Sequence, residues 1–123
     1  MNLLLDSHIL LWYADADLRL TETAISSIQD ARELYFSAAG IWELSLKMHG
    51  GKLPQRDVQA LALHLGCTLL SIAPEHAAAV VELPRLHNDP FDHLLLAQAR
   101  MEGLTLVTHD RILSEYGVPV LLV

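Results

Sequence analysis

Basic side chains are scarce in this chain: eight Lys and Arg stand against 15 Asp and Glu, for a formal charge of −7. Binding a polyanion across a broad face rests on cations that neutralise phosphates, so the composition argues against that mode. A site whose bound metal supplies positive charge locally stays open. Cysteine is nearly absent as well. The single Cys67, in an apolar strand context, rules out an internal disulfide framework, fits a reducing cytoplasm and reads as a small buried hydrophobe. No uninterrupted apolar run reaches the ~18 residues of a membrane span. The apolar start, Leu3–Leu5 and Ile9–Tyr13, is broken by Asp6 and His8. It has no basic residue before it and no clean cleavage site after it, so it does not read as a secretory leader. A soluble, cytoplasmic protein is expected.

What is present is apolar mass in short blocks. The chain is 52% hydrophobic and 19% charged over 123 residues, which places it among globular proteins as a single domain, 1–123. Asn2–Leu5 reads as a buried strand followed at once by a short helix, His8–Tyr13. Thr21–Ala31 is helical with Thr21 as N-cap, Leu34–Ser37 is a second strand, and Ser37 caps a helix that runs to Met48. Gly50-Gly51 breaks the chain, and Pro54 opens a helix to about Leu65. Three times a glycine then ends a helix just before an apolar strand: Gly66 before Thr68–Ser71, Gly103 before Thr105–Thr108, Gly117 before Val118–Val123. Pro74–Leu83 and Pro90–Glu102 are the helices between them, each with Pro in its first turn. The strands lack alternation, as expected when helices cover both faces of a parallel sheet. The fold class is therefore α/β, a three-layer α/β/α domain around a mainly parallel sheet.

The acids fall at telling places in that pattern. Asp6 and Asp110 each follow a strand, Asp92 lies in the first turn of the Pro90 helix, and Glu43 sits in an apolar helical run between Trp42 and Leu44. Ligands of open parallel sheets bind beyond the carboxyl ends of strands, where all four acids can gather. Carboxylates brought together raise one another's pKa, and a divalent cation relieves that repulsion. Oxygen-only ligation suits Mg²⁺ or Mn²⁺ over Zn²⁺, and no Cys/His zinc spacing occurs. Each acid also has a plainer reading. Asp6 and Asp110 can cap the helices that follow them, Asp89 before Pro90 is a favoured N-cap, and Glu43 can pair with Lys47 one turn on. Taken jointly, in this order, the four acids point to metal-assisted phosphodiester hydrolysis.

Four ordered segments carry a family resemblance over essentially the full length. They are Leu3-Leu4-Leu5-Asp6-Ser7-His8-Ile9-Leu10-Leu11-Trp12 and Ser37-Ala38-Ala39-Gly40-Ile41-Trp42-Glu43-Leu44, then His87-Asn88-Asp89-Pro90-Phe91-Asp92-His93-Leu94-Leu95-Leu96-Ala97-Gln98-Ala99 and Leu106-Val107-Thr108-His109-Asp110. With them the chain resembles PIN-domain proteins, in particular the VapC-type toxins of bacterial toxin–antitoxin pairs. The resemblance implies an Mg²⁺- or Mn²⁺-dependent ribonuclease, silenced by a small VapB-like antitoxin that often reaches into the acidic site with an arginine. It also implies a homodimer or a larger toxin–antitoxin assembly. The family's acidic quartet maps onto Asp6, Glu43, Asp92 and Asp110, with Thr108 as a supporting hydroxyl and Asp89 less central. Related chains often carry Arg where this one has Asn88, His93 and His109, which weakens three phosphate contacts or ties them to protonation.

The mechanism expected has Asp6 and Asp92 on the principal metal, with Glu43 and Asp110 completing the shell through water or a second ion. A metal-bound water attacks in line, leaving 5′-phosphate and 3′-OH ends. Lys47, Lys52 and Arg56 form the one local basic cluster, open to reading as an RNA contact or as a solvated helix end. The rival enzyme is a housekeeping PIN nuclease of RNA processing without an antitoxin. A phosphoacceptor receiver would need a late-strand Lys and a central strand-end nucleophile, and neither is evident. A non-catalytic binding module sits poorly with an intact acidic quartet.

Overall fold

The computed structural model describes residues 1–123. Its strands are β1 (Asn2–Leu5), β2 (Glu33–Ser37), β3 (Cys67–Leu70), β4 (Thr105–Thr108) and β5 (Val120–Leu122). The helices are α1 (Ser7–Ala14), α2 (Glu22–Gln29), α3 (Ala38–His49), α4 (Val58–His64), α5 (Pro74–Ala79) and α6 (Pro90–Glu102). Two short 3-10 turns, Val80–Glu82 and Arg111–Glu115, complete the regular structure. All pairings are parallel, in the order β3-β2-β1-β4-β5. The sheet is thus wholly parallel, and β1 and β4 lie side by side at its centre, with Leu3 opposite Thr105 and Leu5 opposite Val107.

Successive side chains of β1 supply the two cores. Leu3 and Leu5 pack with Ile9, Ile28, Phe36 and Leu44 under α1 to α4, while Leu4 packs with Leu95, Leu96 and Leu106 under α6. That arrangement makes three layers, and it is why the central strands read as unbroken apolar runs. No helix is long and apolar enough to cross a membrane.

Several boundaries differ from the sequence expectation, each for a local reason. The helix expected from Pro54 begins only at Val58, because the Asp57 carboxylate caps it by accepting from Ala60 N at 3.1 Å. The stretch before it is tied back to α3, with Gln55 Nε2 donating to Met48 O at 3.1 Å. The helix expected through Leu83 ends at Ala79 and tightens into the Val80 turn, since Pro84 confines Leu83 to extended backbone. The last strand starts at Val120 and not at Val118, because Pro119 has no N–H to give the ladder. Its carbonyl still accepts from Leu106 N at 3.0 Å. The three glycines expected to end helices, Gly66, Gly103 and Gly117, all have positive φ.

Candidate functional site

The strand order reverses between β1 and β4, and their carboxyl ends open onto a cleft of about 580 Å³. Asp6, Glu43, Asp92 and Asp110 all line it, as does Asp89. Each acid is held by a group that the local fold supplies. Asp6 ends β1 and caps α1, its Oδ1 accepting from Ser7 N at 2.7 Å. Its Oδ2 accepts from the buried Thr108 hydroxyl of β4 at 2.7 Å, a contact across 102 positions of chain. Thr108 Oγ1 also accepts from Asp110 N at 3.1 Å, so one hydroxyl joins two of the acidic segments. Asp110 in turn caps the Arg111 turn through Ile112 N at 3.2 Å.

Glu43 enters from α3. Ser7 Oγ donates to its Oε1 at 2.6 Å, and Lys47 Nζ stands 3.5 Å from its Oε2. Asp92 enters from the first turn of α6 with its Oδ2 3.1 Å from His87 Nε2. Asp89 is the N-cap of α6, accepting from Phe91 N at 2.9 Å. Caps hold Asp6, Asp89 and Asp110, and Lys47 pairs with Glu43, as the plainer readings expected; Asp92 has only His87, and the cleft gathers all five carboxylates.

Burial dominates the electrostatics. Asp6 is 8% exposed, and its carboxyl is held above its ordinary range by burial, against the Thr108 and Ser7 hydrogen bonds that pull it down. Burial likewise pushes Asp92 up to about 7, opposed by the His87 hydrogen bond and reinforced by the charges of Asp6, Asp89 and Glu43. Neither Asp6 nor Asp92 has a Lys or Arg partner. Hard oxygen donors left in this state fit a small divalent cation. No three His, Cys, Asp or Glu side chains converge closely enough to enclose an ion by themselves, so the four acids line the cleft without closing a cage.

The cationic rim is not the cluster expected from the sequence. Arg56 turns away to Asp15, with both N–O contacts at 3.0 Å, and Lys52 lines an adjoining groove beside Phe91. Lys47 reaches the cleft, where it is joined by Arg19 and Arg111, which no local pattern marks. Arg19 is clamped by Asp17 at 2.7 and 3.0 Å and lies 4.6 Å over the Trp12 ring. Of the three positions noted for lacking Arg, only His109 lines the acidic cleft. Asn88 and His93 face a separate hollow of about 610 Å³ together with Arg85 and Leu83. Ser7, His87 and Tyr116 were also invisible as site residues. Ser7 merely follows Asp6 in the chain, and Tyr116 reaches His87 only through the tertiary fold.

Comparison with known proteins adds four findings. The PIN domain family matches residues 3–119. Ribonuclease VapC22 of Mycobacterium tuberculosis is 33% identical over 96% of this chain and 94% of its own length. The fold is similar to the crystal structure of VapBC2 from Rickettsia felis bound to a DNA fragment from their promoter (TM-score 0.75, 15% identity, 100% of this chain and 99% of that one). It is also similar to DNA-bound VapBC from Salmonella typhimurium (TM-score 0.69, 18% identity, 98% and 97%).

Proposed function

This chain belongs to the PIN-domain family, and from that premise we propose that it is a single-domain, metal-dependent endoribonuclease, the toxin of a VapBC-like pair. The observation that carries the chemistry is the pair of buried carboxylates without Lys or Arg partners, Asp6 and Asp92, at the switch point of the sheet. We assign these two to direct metal contact and Glu43 and Asp110 to the outer part of the site. Mg²⁺, or Mn²⁺ in its place, would supply Lewis-acid polarisation of the scissile phosphate and a water of lowered pKa.

The chain's own groups set the geometry for that chemistry. Thr108 and Ser7 fix both oxygens of Asp6, while His87 fixes one oxygen of Asp92 and leaves the other free. Lys47 and Ser7 keep Glu43 at the edge of the cleft. Arg19 and Arg111 on the rim attract the flanking phosphates of an RNA strand, which the net charge of −7 would otherwise repel. Water, and not the ribose 2′-OH, is the nucleophile, so the products carry 5′-phosphate and 3′-OH ends.

A VapB-like antitoxin in the cytoplasm is the proposed partner, supported by the relative named Ribonuclease VapC22 and by the VapBC complexes of like fold. The deciding experiment is induced expression of wild type and Asp92→Asn with RNA end-mapping, the adjacent short reading frame being supplied in trans. Growth arrest by wild type alone, relieved by that frame, supports the toxin. Harmless expression with intact nuclease activity would indicate the housekeeping nuclease instead. Cyclic 2′,3′-phosphate ends, with cleavage that survives EDTA, would overturn the mechanism.

A further inference from the structure

We propose that His87 and Tyr116 are positioning residues, which hold the Asp92 carboxylate ready for a metal through a hydrogen-bonded chain from Tyr116 Oη through the His87 ring to Asp92 Oδ2. The proposal rests on the reading of Asp92 as a metal-binding acid. His87 lies in the irregular segment between the Val80 turn and α6, where no backbone ladder fixes a side chain. All of its hydrogen bonds go to two residues. Its Nε2 lies 3.1 Å from Asp92 Oδ2, its Nδ1 contacts Tyr116 Oη, and its backbone N–H donates to that same oxygen at 3.1 Å. His93 Nε2 stands 3.2 Å from Tyr116 Oη on the other side. The three rings meet edge to face or tilted, with the His87 and His93 centroids 4.8 Å apart and those of His87 and Tyr116 5.4 Å apart.

The donor and acceptor inventory gives this chain a direction. With its charge held by a bound cation, the Asp92 carboxylate can only accept, so His87 Nε2 carries the hydrogen and Nδ1 is left as a bare acceptor. The phenol hydroxyl of Tyr116 then donates to Nδ1, and its lone pairs take the His87 backbone N–H and His93 Nε2–H. Each polar atom from Tyr116 Oη through the His87 ring to Asp92 Oδ2 is matched. Tyr116 is itself 6% exposed and follows the 3-10 turn that Asp110 caps. The segment bearing one acid thereby sets the orientation of another. Partners of metal-binding side chains typically contribute 10–100-fold to metal affinity by such orientation.

The test uses the full chain. With wild type saturated in Mg²⁺, ¹⁵N shifts of the His87 ring are expected to show a protonated Nε2 and a bare Nδ1. Mn²⁺ binding, followed by electron paramagnetic resonance on protein whose fold is checked by circular dichroism, should weaken roughly tenfold in Tyr116→Phe and in His87→Ala. His87→Gln, whose amide N–H can reach the place of Nε2, should stay within about threefold of wild type, a rescue that a merely structural role would not produce. Unchanged Mn²⁺ affinity in both Tyr116→Phe and His87→Ala, or a His87 ring protonated at Nδ1, would overturn the proposal while leaving the metal reading intact. Wild-type Mn²⁺ affinity in Asp92→Asn would instead overturn the metal reading, and this proposal with it.

Discussion

Asp92 shows how a single buried side chain couples the site to stability. Its carboxyl is pushed up to about 7 in the fold, against an ordinary value of 3.8, mainly because burial penalises its charge. The folded chain therefore holds that proton more tightly than the unfolded one. The associated stability is complete below the unfolded value and is lost as pH rises through about 7. Urea denaturation of metal-free protein at pH 5 and pH 8 should accordingly show a larger pH-dependent loss in wild type than in Asp92→Asn, where the raised carboxyl of Asp6 still contributes. The difference should be on the order of 2 kcal/mol. The same substitution should lower RNA cleavage by ~100-fold or more while the metal-free Tm holds or rises, since a repulsive charge has gone. At this scale the sequence was legible where a residue type is tied to a fixed local place, as with Asp6 after an apolar strand and Asp92 behind Asp89-Pro90. Arg19, His87 and Tyr116 gave no such sign, because their roles come from side chains that meet only once the chain is folded.

Helices α6 and α3 deliver their acids through very different devices. Asp89 accepts from Phe91 N at 2.9 Å, so its first duty is to start α6 in register for Asp92. Asp89→Ser should keep that cap, with cleavage within about threefold of wild type, whereas Asp89→Ala should cost ~1 kcal/mol in thermal or urea unfolding. In α3 the decisive position is Gly40, where an added Cβ would stand 2.6 Å from Cζ of Phe36, a ring buried beneath it. Overpacking of this kind costs about 1–3 kcal/mol, offset by ~1 kcal/mol of helix propensity, so Gly40→Ala should destabilise by roughly 1 kcal/mol. It should also lift α3 and with it Glu43, seen as reduced cleavage in protein that is still folded. Element by element, α6 and β4 occupy the bounds expected from the sequence, because Pro90 and Gly103 punctuate them sharply. The Pro54 segment misled, because a proline suited to a first turn lost to a carboxylate three positions later that caps better.

The order β3-β2-β1-β4-β5 puts the earliest strand at the middle of the sheet and the acidic cleft at its point of reversal. A parallel α/β sheet was readable from the alternation of blocks. Strand order was not, since it depends on which apolar faces find each other. If the cleft binds a divalent cation, Mn²⁺ at a hundred times its Kd should raise the stability of the whole molecule by about 2.7 kcal/mol, roughly 10 °C in Tm, with no such gain in Asp92→Asn. Few cations face the cleft of this acidic chain, so the salt dependence of RNA binding should be shallow. Two phosphate contacts, from Arg19 and Arg111, predict a log–log slope of about −1.4 in a filter-binding titration. The Thr108 hydroxyl on Asp6 has a last consequence, for the order of synthesis. A ribosome releases Asp6 first and Thr108 after about a hundred further residues, and β1 has no partner on one side until β4 has emerged. The nascent polypeptide thus has no assembled cleft until the segment bearing Thr108 and Asp110 has emerged, so whatever the cleft does begins only after that release.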